Sequence, residues 1–297
     1  MTNPDAPTPS QDGPGRVVLA GTPIGHKDQA SDALRAAIEA APLIAAEDTR
    51  RFHTLLRRLG LHTNARIVSF YDQNEAERTP ELVTALAHGD VLVVSDAGMP
   101  LVSDPGYRLV QAALAAGYEV TSVPGPSAVL TALAVSGLAT DRFCFEGFLP
   151  RKDGPRRRRL ADLAHEPRTM VFFEAPHRLA DFLTDAAQAL GDDRPAAVCR
   201  ELTKPYEEVR RDGLGALAQW ALDHARGEIS VVIAGAPITD DDIDPLGLVR
   251  ARMDQGEKLS AAVAEVAATT GVNRKQLYAQ AIADRDSART PTAEGDR

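Results

Sequence analysis

Two short stretches of this chain set carboxylates beside cations at the ends of apolar runs. Glu47-Asp48-Thr49-Arg50 follows Leu43–Ala46, and Arg200-Glu201-Leu202-Thr203-Lys204 closes an apolar run that begins at Ala196. A carboxylate so placed can take the proton of a hydroxyl, and Arg50, Arg200 or Lys204 can hold a phosphate. Glu47, Asp48, Arg50, Glu201 and Lys204 are therefore the candidate catalytic groups. A second reading stays open, in which Glu47 pairs with Arg50, and Glu201 with Lys204, at a domain seam. His177 is equally two-sided, because after Pro176 it can simply begin a helix. A third stretch, Arg151-Lys-Asp-Gly-Pro-Arg-Arg-Arg-Arg159, carries six positive charges and one negative. Gly154-Pro155 marks an exposed loop feeding a helix, and the charge density exceeds that of an ordinary solvated face. Contact with RNA phosphate by Arg151, Lys152, Arg156, Arg157, Arg158 and Arg159 is the expectation.

Small-residue loops suggest a different chemistry, that of cradling a ligand. Gly21-Thr-Pro-Ile-Gly25, Ser95-Asp-Ala-Gly-Met-Pro100 with Ser103-Asp-Pro-Gly106, and Pro124-Gly-Pro-Ser127 each follow an apolar run. The run Val91–Val94 is apolar throughout, as in a strand buried on both faces. Gly98 permits backbone angles closed to other residues, and Pro100 fixes its own. In open α/β sheets such loops, at the carboxyl ends of strands, are where ligands bind.

Strands must position these loops. Arg16 onward, Leu43–Ala46, Ile67–Phe70, Val91–Val94 and Glu119–Val123 read as strands. Helical patterns stand between them at Asp28–Glu39, Phe52–Leu59, Thr79–Ala87 and Leu109–Ala116. That alternation predicts a parallel sheet. Beyond a helix at Ala128–Ser136 a second sheet is expected from Phe143–Phe148, Thr169–Glu174, Ala196–Glu201 and Ile229–Ala234. Its helices are Arg157–Ala164, His177–Leu190 and Leu214–Ala225. The expected organisation is a disordered tail over 1–15, an N-terminal α/β domain over 16–124 and a C-terminal α/β domain over 125–238. An acidic linker (239–244), a helix-turn-helix-like unit (245–285) and a second tail (286–297) complete it. In the helical unit Ser260 is the expected N-cap and Gly271 the turn. Leu259, Val263, Val266, Leu277, Tyr278 and Ile282 are its expected core. Such a unit either binds nucleic acid or packs on the body.

At 297 residues the chain is long enough for two cores, and its 44% hydrophobic and 25% charged content is that of a globular protein. Two cysteines, Cys144 and Cys199, argue against a disulfide scaffold or a cysteine zinc site. No run of 18 apolar residues occurs, and the first 15 residues lack a signal-peptide pattern, so a cytoplasmic protein is expected. The net charge of −9 disfavours nucleic acid, but the clustering of the positive charge outweighs the sum.

Taken in order, the loops resemble a known family. Gly147-Phe-Leu-Pro-Arg-Lys152, Phe173-Glu-Ala-Pro-His-Arg178 and Arg200-Glu-Leu-Thr-Lys204 follow the loops above. The series closely resembles the ribosomal RNA small subunit methyltransferase I family, a branch of the tetrapyrrole methylase superfamily. The resemblance spans roughly Arg16 to Ala236 and extends to the terminal helices. It departs at His26-Lys27, where the branch usually has Asn-Leu, and at Met99, where it usually has Thr. The resemblance implies two α/β domains with a cofactor cleft between them, plus the small helical unit. It also implies S-adenosylmethionine as cofactor, no metal, and 2′-O-methylation of a cytidine ribose in the decoding region of 16S ribosomal RNA, within the small subunit. A homodimer without membrane contact is the implied assembly. Carried over, the cofactor-contacting positions are Pro23, Gly98, Met99, Val102, Ser127, Ala128, Phe173, Leu202 and Ala236. The chain has no dinucleotide-type G-x-G-x-x-G following a strand.

Overall fold

The computed structural model describes residues 14–237 and 244–289, so the expected acidic linker, apart from Asp244, and most of both expected tails lie outside the described residues. Order begins no later than Gly15, whose N–H donates to the Leu86 carbonyl at 2.7 Å. The described residues form two units, one reaching to Ala236 and one beginning at Pro237.

The first sheet is made of β1 (Val17–Ala20), β2 (Leu43–Ala46), β3 (Arg66–Ser69), β4 (Val91–Val94) and β5 (Val120–Val123). Their order is β3-β2-β4-β1-β5, and every pairing is parallel. Successive side chains of a strand point to opposite faces, so each strand feeds two cores. Val18, Ile44, Leu92 and Val94 pack with Leu34 and Ile38 of α1 (Asp32–Ala40) and with Phe52 and Leu56 of α2 (Thr49–Leu59). Val17, Leu43, Val91 and Val93 pack on the other face. Their partners are Leu82 of α3 (Glu75–Ala85) and Leu109 and Ala113 of α4 (Tyr107–Ala115). Strand β4 lies between β1 and β2 with all four residues buried, which is why its stretch is apolar without alternation.

The second sheet is mixed. It contains β6 (Phe143–Phe148), β7 (Thr169–Glu174), β8 (Pro195–Arg200), β9 (Glu208–Gly213) and β10 (Ile229–Ile233), in the order β6-β7-β10-β8-β9. β6 and β7 are parallel, whereas β10 runs antiparallel to both β7 and β8. The strand β9 is absent from the sequence reading. Its residues Glu-Val-Arg-Arg-Asp-Gly are too polar for the apolar-run criterion, and it forms an edge strand paired only with β8. One face is covered by α6 (Asp153–Asp162), α7 (Leu179–Leu190) and α8 (Leu214–His224). The other face takes α5 (Ala128–Ser136), whose Val129, Ala132 and Leu133 pack on Val171, Ala197 and Val232. Ile24, on the loop after β1, belongs to that same core together with Leu202, so it is continuous with a loop of the first sheet.

The terminal helices are α9 (Pro245–Asp254), α10 (Leu259–Thr270) and α11 (Arg274–Arg289). Their core is Val249, Ala262, Val263, Val266, Leu277 and Ala281. Leu259 only packs against its edge, Tyr278 is 40% exposed, and Ile282 lies outside the buried set. Lys258, not Ser260, occupies the N-cap of α10, and Gly271 at φ +73° closes it. α11 continues to Arg289, four residues past the expected limit of this unit. Among the described residues no helix is long and apolar enough to cross a membrane.

Candidate functional site

Backbone contacts between loops build the cleft. Gly21 and Gly125 meet so closely that a Cβ on Gly21 would lie 2.6 Å from the Gly125 Cα. A Cβ on Gly25 would lie 2.4 Å from Thr203 Oγ1, on the loop after β8. The Gly21–Gly25 loop thus touches a different loop through each glycine, and only residues without side chains allow both approaches. Thr22 and Gly98 exchange N–H···O bonds of 2.9 and 3.1 Å, which tie the loop after β1 to the loop after β4. Gly98 itself sits at φ +84°, and the non-glycine residues Leu101, Ser103, Glu201 and Thr203 also take positive φ. Four left-handed non-glycine residues in two facing loops mark held backbone, the kind that clusters at ligand sites. The buried Glu75 does part of the holding, since its carboxylate accepts from the N–H groups of Gly106 and Arg108.

Between these loops lies a cavity of about 390 Å³. One wall is acidic: Glu47, Asp96 and Asp104 come from the loops after β2 and β4. The Asp96 N–H donates to Glu47 Oε2 at 3.0 Å, and the Asp96 carboxylate pairs with Arg51 Nη1 at 3.0 Å. Burial pushes the Glu47 carboxyl upward, aided by its neighbours Asp96 and Asp72. The Asp96 carboxyl is likewise raised by burial. Asp104 is pushed up to about 7, first by burial and then by the charge of Glu47, with Ser95 opposing through a hydrogen bond. The facing wall is apolar: Ile24, Met99, Phe173 and Leu202 line it with Ser127 and Ala128. The Cys199 thiol, fully buried in the core that backs this wall, is pushed up to about 12 by burial, which disfavours the thiolate.

Of the expected cofactor positions, Gly98, Met99, Val102, Ser127, Ala128, Phe173 and Leu202 all line this cavity. Pro23 does not, and its place is taken by the next residue, Ile24. Ala236 lies elsewhere. Its N–H donates to the Glu166 carbonyl, ahead of β7, at the end of the sheet opposite the cavity. The reason is strand direction: β10 is antiparallel to its neighbours, so its beginning and not its end meets the cleft. Gly227, Glu228, Ile229 and Ser230, at the start of β10, line the cavity instead. No single-strand signal reveals this, because an apolar run carries no direction.

The expected catalytic groups divide in the same way. Glu47 lines the cavity, whereas Asp48 caps α2, its carboxylate accepting from the N–H groups of Arg50 and Arg51. That role holds the Asp48 carboxyl below its ordinary range. Arg50 is exposed outside the lining, and its neighbour Arg51 takes the place at the wall. Glu201 and Lys204 pair with each other at 2.9 Å, and Lys204 also reaches Glu228 at 3.0 Å. This network braces the loop carrying Leu202; Glu201 and Lys204 stay outside the cavity lining, and only Glu228 reaches it. Asp104 gives no catalytic signal in the sequence, because its Ser-Asp-Pro-Gly setting reads as a turn.

The basic run is redistributed as well. Arg156 is 3% exposed, and its guanidinium donates to Asp185 at 2.7 Å. Asp185 is equally buried in α7 and also accepts from Arg157 at 2.8 Å. Helical spacing explains this, because Arg156 and Leu160 stand four apart on the face of α6 that meets α7. Arg159 forms a double hydrogen bond to Glu146. Arg151, Lys152 and Arg158 remain exposed. Arg156 is therefore a residue of the fold, and Arg157 and Arg159 are engaged on the protein itself.

Two α/β sheets sharing one ligand-sized cavity at their loops define the class as an α/β protein with a ligand cleft between sheets. The family described as Tetrapyrrole (Corrin/Porphyrin) Methylases matches residues 16–218. A protein of Mycobacterium tuberculosis (strain CDC 1551 / Oshkosh), Ribosomal RNA small subunit methyltransferase I, is 51% identical over 266 residues, covering 89% of this chain and 93% of that protein. Its namesake from Escherichia coli O157:H7 is 38% identical over 273 residues, covering 90% and 95%. Among solved structures, uroporphyrin-III C-methyl transferase from Thermus thermophilus, complexed with S-adenyl homocysteine, superposes with a TM-score of 0.54. That likeness covers 73% of this chain and 97% of the other at 22% identity, and shows a shared fold. The chain belongs to the tetrapyrrole methylase family, in its ribosomal RNA small subunit methyltransferase I branch.

Proposed function

We propose that this protein transfers the methyl group of S-adenosylmethionine to the ribose 2′-hydroxyl of a cytidine in the decoding region of 16S ribosomal RNA. The observation that carries the reading is the two-sided cavity, with titratable carboxylates on one wall and small or apolar residues on the other. The apolar side fits an adenosyl group. Ile24, Phe173 and Leu202 offer apolar surface, with the Phe173 ring as its flat part, and the Gly98 loop and the Ser127–Ala128 turn bring backbone amides close. When bound, the cofactor supplies a sulfonium methyl: the C–S bond breaks, its electron pair stays on the sulfur, and a C–O bond forms.

The chain's own task is to align the hydroxyl and take its proton. Asp104 is the group best suited to accept it, being near half-ionised at neutral pH and supported by Glu47. Arg51, through Asp96, fixes the position of this acidic wall. Glu201 and Lys204 act one layer back, by holding the Leu202 loop. Asp48 serves by starting α2. RNA is the substrate class that the relatives' names state for them, and the exposed Arg151, Lys152 and Arg158 suit a phosphate backbone. An assembled small subunit as substrate, a cytoplasmic location and a homodimer complete the proposal.

The test uses small ribosomal subunits that lack the modification, with methyl-labelled S-adenosylmethionine. Label recovered as 2′-O-methylcytidine after digestion to nucleosides supports the reading. Label in a base, or transfer only to a porphyrin-type ring, overturns it. Light scattering that finds a monomer at working concentration overturns the homodimer.

A further inference from the structure

A second cavity, of about 750 Å³, lies beside the first and shares Phe148 and Ala175 with it. Arg151, His177 and Arg178 complete its polar lining. Phe148 is 55% exposed, although a phenylalanine gains by burial. Its ring centroid is 5.6 Å from that of Phe173, which in turn stands 4.9 Å from Phe145. Phe148 is thus the outermost ring of an aromatic row that begins behind the first cavity and ends in the open second one. Arg178 is already engaged, donating to the carbonyls of Leu149 and Pro150 and pairing with Glu174. It holds the loop that presents Phe148 and Arg151. Arg151 and His177 are exposed and bordered by no carboxylate in the cavity lining.

We propose that this second cavity is a subsite for the nucleotide next to the methyl acceptor, with that nucleotide's base stacked on Phe148 and its phosphate held by Arg151. The inference rests on the RNA reading above. A ribose that enters the first cavity belongs to a strand, so its neighbours must leave through whatever adjoins that cavity. Electrostatics selects the side. Glu47, Asp96 and Asp104 repel a phosphodiester along the first-sheet wall, whereas Arg151 attracts it along the second. An exposed ring beside a free guanidinium is the pairing that single-stranded nucleic acid uses, because every base has a face to stack and every linkage a charge. His177 stands where a ribose or phosphate oxygen can accept from its ring.

The experiment compares the full-length protein with Phe148→Leu, Phe148→Tyr and Arg151→Ala, using unmodified small subunits as substrate. Leucine keeps an apolar wall for the cofactor and removes the stacking face, and tyrosine restores it. The expected result is a KM for subunits raised about tenfold by Phe148→Leu, and several-fold by Arg151→Ala. Phe148→Tyr should match the wild type, and kcat should stay within about threefold throughout. S-adenosylmethionine affinity by calorimetry should be unchanged in all three. Unaltered KM in both Phe148→Leu and Arg151→Ala, with the wild type active, overturns the subsite and leaves the RNA reading intact. A loss in Phe148→Leu that follows weaker cofactor binding also overturns it, since Phe148 would then be only a cofactor wall. A wild-type protein that transfers no methyl group to subunits overturns the reading and the subsite together.

Discussion

The two walls of the cleft come from sheets of different construction. The first sheet is wholly parallel, so the loops after β1, β2, β4 and β5 emerge on one side. That side collects Glu47, Asp96 and Asp104 into a wall where carboxyl groups raise one another and burial raises them all. The second sheet contains the reversed strand β10, so its wall combines the end of β7 with the beginning of β10. It is rich in aromatic surface and leads outward to cations. The difference is one of charge: the titratable carboxylates of the cavity cluster on the parallel sheet's loops, and the mixed sheet adds the aromatic surface.

The largest expected effect breaks the acidic wall. Asp104→Asn keeps the shape and removes the proton acceptor, so kcat should fall by about 10²- to 10⁴-fold with KM for subunits little changed. If Asp104 takes the proton, its ionised form is the active one and wild-type kcat should rise with pH through about 7. The variant should lose that limb. An unshifted pH profile in Asp104→Asn assigns the proton to another group.

Next in size is a test of the mixed sheet's cover. Arg156→Ala leaves the buried Asp185 with only the half-exposed Arg157 as its partner. A loss of about 3 kcal/mol in unfolding free energy is expected, with cofactor affinity retained in protein that remains folded. Denaturant titration measures it, and a change under about 1 kcal/mol would return Arg156 to the surface-charge class.

A smaller effect returns to Asp104 through stability. Its folded pKa of about 7 lies above the ordinary carboxylate value, so the fold favours the protonated form. That contribution is fully present at low pH and is lost as pH rises through 7. Asp104→Asn, which carries no charge, should therefore be more stable than the wild type at pH 8. The gain should be about 2 kcal/mol after allowing for the group's remaining solvent contact, and it should vanish near pH 4. Melting curves at the two pH values check both the sign and the convergence.

The same contrast decides what could be read from sequence. In the first sheet, Val91–Val94 and its neighbours announce strands by composition, and parallel order follows from the helices between them. The loops carrying Gly98, Met99, Val102 and Ser127, positions that the resemblance names, line the cavity at the strand ends where the pattern places ligand loops. In the second sheet the pattern is silent on direction, which hides Gly227–Ser230, and Ala236, carried over from the resemblance, lies at the other end of the sheet from the cavity. The polar edge strand β9 is missed for want of an apolar face. Asp104 and Arg156 show a subtler limit. Each is placed by a partner distant in sequence, Glu47 for the one and Asp185 for the other, and spacing within a motif cannot show that.

The last prediction separates charge that serves the fold from charge that serves a ligand. Each phosphate neutralised on single-stranded RNA contributes roughly −0.7 to the slope of log affinity against log salt. If all four residues of the Arg156–Arg159 run met phosphate, their removal would flatten the slope by about 3 units. Arg156, Arg157 and Arg159 are already engaged with Asp185 and Glu146, so that total is out of reach. Arg158 alone of the four is exposed without a carboxylate partner, and Arg151 and Lys152 join it from the preceding loop. Replacing Arg151, Lys152 and Arg158 together should flatten the slope by about 2 units and weaken RNA evenly across sequences. Arg159→Ala should move it by less than about 0.5, since its guanidinium already sits on Glu146. Equal slopes for Arg159→Ala and the triple variant would mean that the run opens and releases its internal pairs when RNA arrives.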